Sequence, residues 1–269
     1  MYIRNIWKYK DVLEVERYFS GRYGKKINPG SRHLPTPEEM RKVNERNAIK
    51  KLRRKIEANF QDGDLFITLT YRPECRPQTG ENMLKPMKSM LRRCRSTWKK
   101  HGIPLKYIIV TEYTGKAIHH HIIINDLPGG NGGKEIRRLW GKNGGVNIVY
   151  LYGEGHYENL AAYLVKETRK TFRDPESPTG QRYSCSRNLI EPPKKTRILK
   201  GDNWPEDPIP PKGYYLDKGS LVNGFTKAGY RYQYCRFVKA GVREQVKKQK
   251  MQNSSTYNIL TRKKYAIQC

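Results

Sequence analysis

The chain is short of acid. Against 54 Lys and Arg it carries only 25 Asp and Glu, a formal charge of +29 over 269 residues. It also lacks long apolar runs: stretches such as 107–110 and 122–124 are far too short to span a bilayer. Its opening, MYIRNIWKYKDVLEVE, has no apolar core of the length a secretory signal needs and brings in acids early. Cysteine is sparse and unpatterned. Cys75, Cys94, Cys185, Cys235 and Cys269 are odd in number and form no C-x-x-C pair, which excludes a disulfide framework or zinc finger read from spacing. Reduced thiols in a cytoplasmic protein are the expectation. A Walker A sequence is missing too: GGNGGKE at 129–135 is one residue short and has no Ser or Thr after Lys134. That stretch is expected to be a flexible loop.

What is abundant is positive charge. A folded chain so unbalanced repels itself unless polyanions or counterions neutralise it. Nucleic acid is the expected partner, because each phosphate contact releases condensed counterions. An anionic membrane surface is the competing reading, and no membrane span is expected.

Residues 1–35 carry no assignable pattern. A helix is expected from Pro37 to about Phe60, with Thr36 as N-cap and Glu39 at the capping-box position. Lys50, Arg53 and Arg54 load that helix with charge, as a solvated face or as a DNA-phosphate contact surface. DLFITLTY at 64–71 reads as a strand, 83–100 as a helix, and 105–113 with 117–125 as a hairpin around TGKA. A short helix at 134–141, a strand at 145–152 and a helix at 157–170 follow, with further strands between 214 and 238. This order predicts an α+β fold with an antiparallel sheet. The expected division is an N-terminal segment with a basic helix (1–60), a central domain (61–195) and a basic C-terminal extension (196–269).

Three consecutive histidines, His119, His120 and His121, stand in the second hairpin strand. Alternate strand residues face opposite ways, so His119 and His121 share one face and His120 the other. With Gly115-Lys116 as a two-residue turn, 114 pairs with 117, 113 with 118 and 112 with 119. Glu112 then lies opposite His119, with Cβ atoms about 5 Å apart. An unpaired carboxylate in the apolar run YIIVTEY would be costly, so it needs a cation. Two imidazoles and a carboxylate at those separations suit one divalent ion with open positions, Mn²⁺ or Mg²⁺, with Zn²⁺ as an alternative. Structural histidines or an RNA-contacting surface are the competing readings.

On the helix YENLAAYLVKETRK, Leu160, Ala161, Leu164, Val165 and Thr168 form one face with Tyr157 in its middle. Tyr163 falls on the other side, among Asn159, Lys166 and Lys170. A phenol flanked by cations is a candidate nucleophile. It also fits a base-stacking residue or a snorkelling surface tyrosine.

FITLTY at 66–71, the E…H-x-H set of Glu112, His119 and His121, and Y-x-x-K at Tyr163 and Lys166 together resemble the three ordered motifs of HUH endonucleases. RYSCSRNLIEPPKK at 182–195 is similar to a downstream segment of bacterial and phage rolling-circle replication proteins. The resemblance covers about residues 64–170, extending to about 195. It departs at His120, where the family usually has a bulky hydrophobic residue, and it implies a single-nucleophile enzyme. By that resemblance Glu112, His119 and His121 hold the metal, Tyr163 attacks the scissile phosphate, and Lys166 positions or stabilises the site. The implied activity is nicking and rejoining of single-stranded DNA at a replication origin, hairpin origins included, through a 5′-phosphotyrosine that frees a 3′-OH. The implied fold is a central antiparallel sheet of about five strands flanked by helices, with the histidines on a central strand. A host helicase and polymerase are the implied partners. A conjugative relaxase, a single-strand transposase or a non-catalytic nucleic-acid binder are the other functions considered. DNA contacts are expected from Lys50, Arg53, Arg54 and Lys170.

Overall fold

The computed structural model describes residues 1–20, 36–77, 82, 84–114, 117–152, 157–171, 181–201, 203–226 and 229–240. The chain forms two compact units, Arg41–Pro192 and a second built from Met1–Met40 with Pro193–Cys269. The fold is α+β, with one five-stranded antiparallel sheet in each unit.

The central unit holds most of α1 (Pro37–Asn59), then β3 (Leu65–Leu69), α2 (Lys85–Lys100), β4 (Tyr107–Thr114) and β5 (Ala117–Ile124). It continues with α3 (Gly132–Trp140), β6 (Val146–Tyr150), α4 (Glu158–Thr171) and β7 (Ser184–Cys185). The sheet order is β6-β3-β5-β4-β7, so β5 is the middle strand. Strand alternation divides the unit into two cores. Ile118, Ile122 and Ile124 pack with Met90, Trp98, Ile136 and Trp140 of α2 and α3. Ile108, Val110 and Ile123 pack with Leu52, Ile56, Ala161 and Leu164 of α1 and α4. The expected capping box closes the start of α1: Glu39 N–H donates to Thr36 Oγ1 (3.2 Å) and Thr36 N–H to Glu39 Oε2 (2.7 Å).

Two expectations change. The 129–135 stretch is a built turn rather than a flexible loop. Asp126 Oδ1 accepts the amides of Leu127 (2.7 Å) and Gly132 (2.8 Å), and α3 starts at Gly132. A Cβ at Gly132 would fall 2.3 Å from that same carboxylate oxygen, so glycine here serves a close approach. Nor do the chain ends form separate flanks divided at 60 and 196. β1 (Tyr2–Tyr9) and β2 (Val12–Tyr18) join β8 (Lys194–Leu199), β9 (Tyr214–Phe225) and β10 (Arg231–Lys239) in the order β8-β1-β2-β10-β9. Pairings between residues nearly two hundred positions apart leave no local signal, which is why this sheet escapes a window-by-window reading. Among the described residues, no helix is long and apolar enough to cross a membrane.

Candidate active site

The β4–β5 register is the expected one: Thr114 pairs with Ala117, Tyr113 with Ile118 and Glu112 with His119. The turn residues Gly115 and Lys116 lie outside the described residues. Parity then separates the three histidines. His120 points into the α2/α3 core, fully buried, with Nδ1 against Thr111 Oγ1 (2.9 Å) and Nε2 against Tyr71 Oη (2.9 Å). Burial, then the neighbouring His121 and His119, push its pKa down to about 3, so it is a neutral core residue. His119 and His121 turn to the α1/α4 face with Glu112.

His121 is 4% exposed and held on three sides. Its Nδ1 meets Thr68 Oγ1 at 3.2 Å, and the ring of Phe66 stacks on it at 6.0 Å with 9° between planes. Its Nε2 is buried and has no hydrogen-bond partner among the described residues. Glu112 Oε2 lies 3.5 Å from that nitrogen and 4.0 Å from Nδ1 of the half-exposed His119. Burial lowers the His121 pKa, with Glu167 pulling it up and His119 pushing it down, which favours the neutral imidazole a metal requires.

Helix α4 brings two more side chains. Tyr163 is 41% exposed, and its ring stands edge-on to His121 (5.5 Å, 83°) and to Phe66 (6.2 Å, 89°). Glu167, one helical turn on, hydrogen-bonds to Glu112. Burial, then the charge of Glu112 and that hydrogen bond, raise the Glu167 carboxyl, while His121 and Lys166 oppose the shift. Tyr163 is raised as well, first by burial and then by Glu167 and Glu112. The cationic activation expected from neighbouring lysines is therefore not what sets this phenol; burial and the two carboxylates dominate. Two acids forced together beside an unpartnered imidazole nitrogen favour a cation.

Among the described residues, no group of three His, Cys, Asp or Glu is arranged to hold a metal ion as it stands. The side chains instead touch one another at ion-pair distances. Ligands about 2.1 Å from a common ion lie roughly 3 Å apart, so gaps of 3.5 and 4.0 Å close with small rotamer changes. The donor set thus fits a divalent cation of the Mn²⁺ or Mg²⁺ kind by its mixed nitrogen and oxygen chemistry.

The other expected site residues scatter. Lys166 is exposed on α4, and the side chain of Lys170 lies outside the described residues. Lys50, Arg53 and Arg54 are all buried, contrary to a phosphate-contact surface. Arg53 faces Glu57 (3.8 Å) and Glu158 (3.3 Å), tying α1 to α4. Glu167, Thr68 and Phe66 were not among the expected site residues. Glu167 carried a signal, its i+4 spacing from Tyr163, and Thr68 and Phe66 share one face of β3, paired with His121 and Ile123.

Residues 64–172, about two fifths of the chain, match the family model described as Replication-associated protein ORF2/gene 2 protein. The matched segment runs from just before β3 through α4 and contains every side chain of the site just described. It supports a replication initiator of the Rep type, and with it an interaction with DNA. No curated protein and no solved structure gives a significant match.

Proposed function

We propose that the protein is a rolling-circle replication initiator of the HUH endonuclease type, nicking and rejoining single-stranded DNA through Tyr163. The observation that carries this reading is the packing of an accessible tyrosine edge-on against His121, within the field of Glu112 and Glu167. A stacking residue would need no buried imidazole with an unpartnered nitrogen behind it.

Glu112, His119 and His121 would hold the cation, a divalent ion such as Mn²⁺ or Mg²⁺. When bound, it supplies a positive charge that polarises a non-bridging phosphate oxygen and offsets the two carboxylates. Thr68 and Phe66 fix the His121 ring, so that Nε2 faces the site. Tyr163 Oη attacks phosphorus while the bond to the 3′ oxygen breaks. The product is a phosphotyrosine on the 5′ side and a free 3′-OH. The Glu167 carboxylate, raised by its surroundings and one turn from Tyr163, is placed to take the phenol proton. Lys166, exposed beside it, is placed to meet the phosphate. The 3′-OH reverses the same step to rejoin the strand without ATP, and unwinding and synthesis fall to a separate helicase and polymerase.

The test is nicking of single-stranded oligonucleotides in Mn²⁺ by the native protein and Tyr163→Phe. Loss of cleavage with retained strand binding supports the enzyme. Cleavage by the variant at the native rate contradicts the assignment, and absence of cleavage by the native protein on an origin-covering library favours a binding protein.

A further inference from the structure

The sheet formed by the chain ends carries a row of arginines that the nicking site does not use. In β8-β1-β2, Arg197 pairs directly with Arg4 and Arg4 directly with Arg17. Directly opposite residues of antiparallel strands project from the same face, and like charges so placed destabilise the sheet. The row continues through Gln233 and Asn223, both neutral. Gln233 Oε1 accepts from Arg17 (2.6 Å) and its Nε2 donates to Asn223 Oδ1 (2.9 Å). The acids of these strands, Glu14, Glu16 and Asp217, fall on the opposite face by the same pairing. Among the described residues, Arg4 and Arg197 have no ion-pair or hydrogen-bond partner, and Arg4 Nε is buried without one. Lys195 extends the positive face along β8, opposite Ile6. Positive charge on an exposed edge strand such as β8 also guards against edge-to-edge pairing. Arg4 and Arg17 stand on interior strands, where that explanation does not reach.

Beside the row lies an aromatic cluster. Tyr2, two residues from Arg4 and on its face, meets the buried Trp204 at 5.0 Å and Phe19 at 6.3 Å, while Phe19 stacks on Trp204 at 4.9 Å. The Arg231 guanidinium sits 5.3 Å over Trp204. Trp204 thus backs two half-buried rings, Tyr2 and Phe19, that keep an open edge. Cations in line with such rings form the pattern that binds single-stranded nucleic acid, phosphates on the guanidiniums and a base against a ring. Strands about 4.8 Å apart spread the three arginines over roughly 10 Å, the reach of about three phosphates at about 3.4 Å per nucleotide.

We infer that this face, centred on Arg4, Arg17 and Arg197, is a binding site for single-stranded DNA separate from the nicking residues. It shares the DNA partner of the proposed function but not its chemistry, and a protein that binds without cleaving would still use it. The experiment is fluorescence anisotropy of a labelled oligonucleotide titrated with the full chain over a series of salt concentrations, native against Arg4→Gln/Arg197→Gln. Arg17 is left intact because it hydrogen-bonds Gln233. The double variant should melt no lower than the native protein, since it removes like charges. It should bind about tenfold more weakly and show a log K against log salt slope smaller by about 1.4, at about 0.7 per lost phosphate contact. Arg197→Gln alone, at an exposed edge position, should give about half that slope change. Unchanged affinity and slope in both variants overturn the inference even if nicking is intact. An equal loss on duplex DNA of the same length overturns the single-strand assignment, and failure of the native protein to bind single strands overturns both readings.

Discussion

At the scale of single residues, environment rather than residue type assigns the roles. Three adjacent histidines share one chemistry and part company because β5 turns His120 into one core and its neighbours toward the other. His120→Ala removes the partner of two buried hydroxyls, on Thr111 and Tyr71. It is expected to cost about 2–4 kcal/mol of stability, at roughly 1–3 kcal/mol per stranded group, read from denaturant unfolding. Mn²⁺ affinity, followed by calorimetry on the folded fraction, should change little, whereas His119→Ala/His121→Ala should abolish it and leave stability nearly intact. Arg53 shows the same principle for charge. Its guanidinium is 1% exposed between Glu57 and Glu158, so Arg53→Ala should destabilise by about 3 kcal/mol and leave the salt slope of DNA binding unaltered. A variant that keeps its stability and loses slope would instead make Arg53 a phosphate contact. Burial also sets an alkaline limit. It lifts Cys94 from its ordinary 9.0 to about 12, and raises Tyr71 and Tyr157 by the same cause. In each the folded state holds its proton longer than the unfolded one. Their contribution is therefore complete below pH about 9 and is lost as pH climbs toward about 12. Melting temperatures measured from pH 8 upward should hold and then fall across that window.

At the scale of elements, the hairpin is where sequence and structure agree in detail. TGKA between two apolar runs left one reasonable turn, and the buried Glu112 left one reasonable face, so register and ligand pairing could both be read. The capping box at Thr36 and Glu39 was equally legible, being contained in four residues. Helix α4 was half legible. Its face count placed Tyr157 in the core and Tyr163 outside, as found, but Glu167 was passed over as one more polar residue of a solvated side. The burial of Lys50, Arg53 and Arg54 was illegible because charge is read as exposure unless the matching acid is known to arrive from elsewhere in the chain. The sheet of β1, β2, β8, β9 and β10 was illegible for the same reason, since both its pairing and its arginine row exist only after distant segments meet. α3 depends on the Asp126 turn, and Asp126→Ala strands the amides of Leu127 and Gly132. A loss of about 1–2 kcal/mol is expected, measured by urea unfolding, with the nicking residues untouched.

At the scale of the whole molecule, a charge of +29 acts on folding and on binding with opposite signs. Added salt screens self-repulsion and should raise the melting temperature of the free protein, while the same salt weakens its hold on DNA. The two trends, measured on one preparation between about 0.05 and 0.3 M NaCl, should cross. A melting temperature that falls with salt would mean that the surplus cations are already paired within the fold. The matched family segment, 64–172, holds the nicking residues, and the sheet made by the chain ends holds the arginine row, so chemistry and strand capture are assigned to different parts of one chain. The central claim is that Tyr163 becomes covalently joined to DNA. The measurement that meets it most directly is peptide mass spectrometry after incubation with an origin-covering set of single-stranded oligonucleotides in Mn²⁺. The account predicts a nucleotide adduct on the peptide containing Tyr163, absent when EDTA replaces the metal and absent in Tyr163→Phe. Strand cleavage with the adduct on another tyrosine, or with none at all, would contradict it.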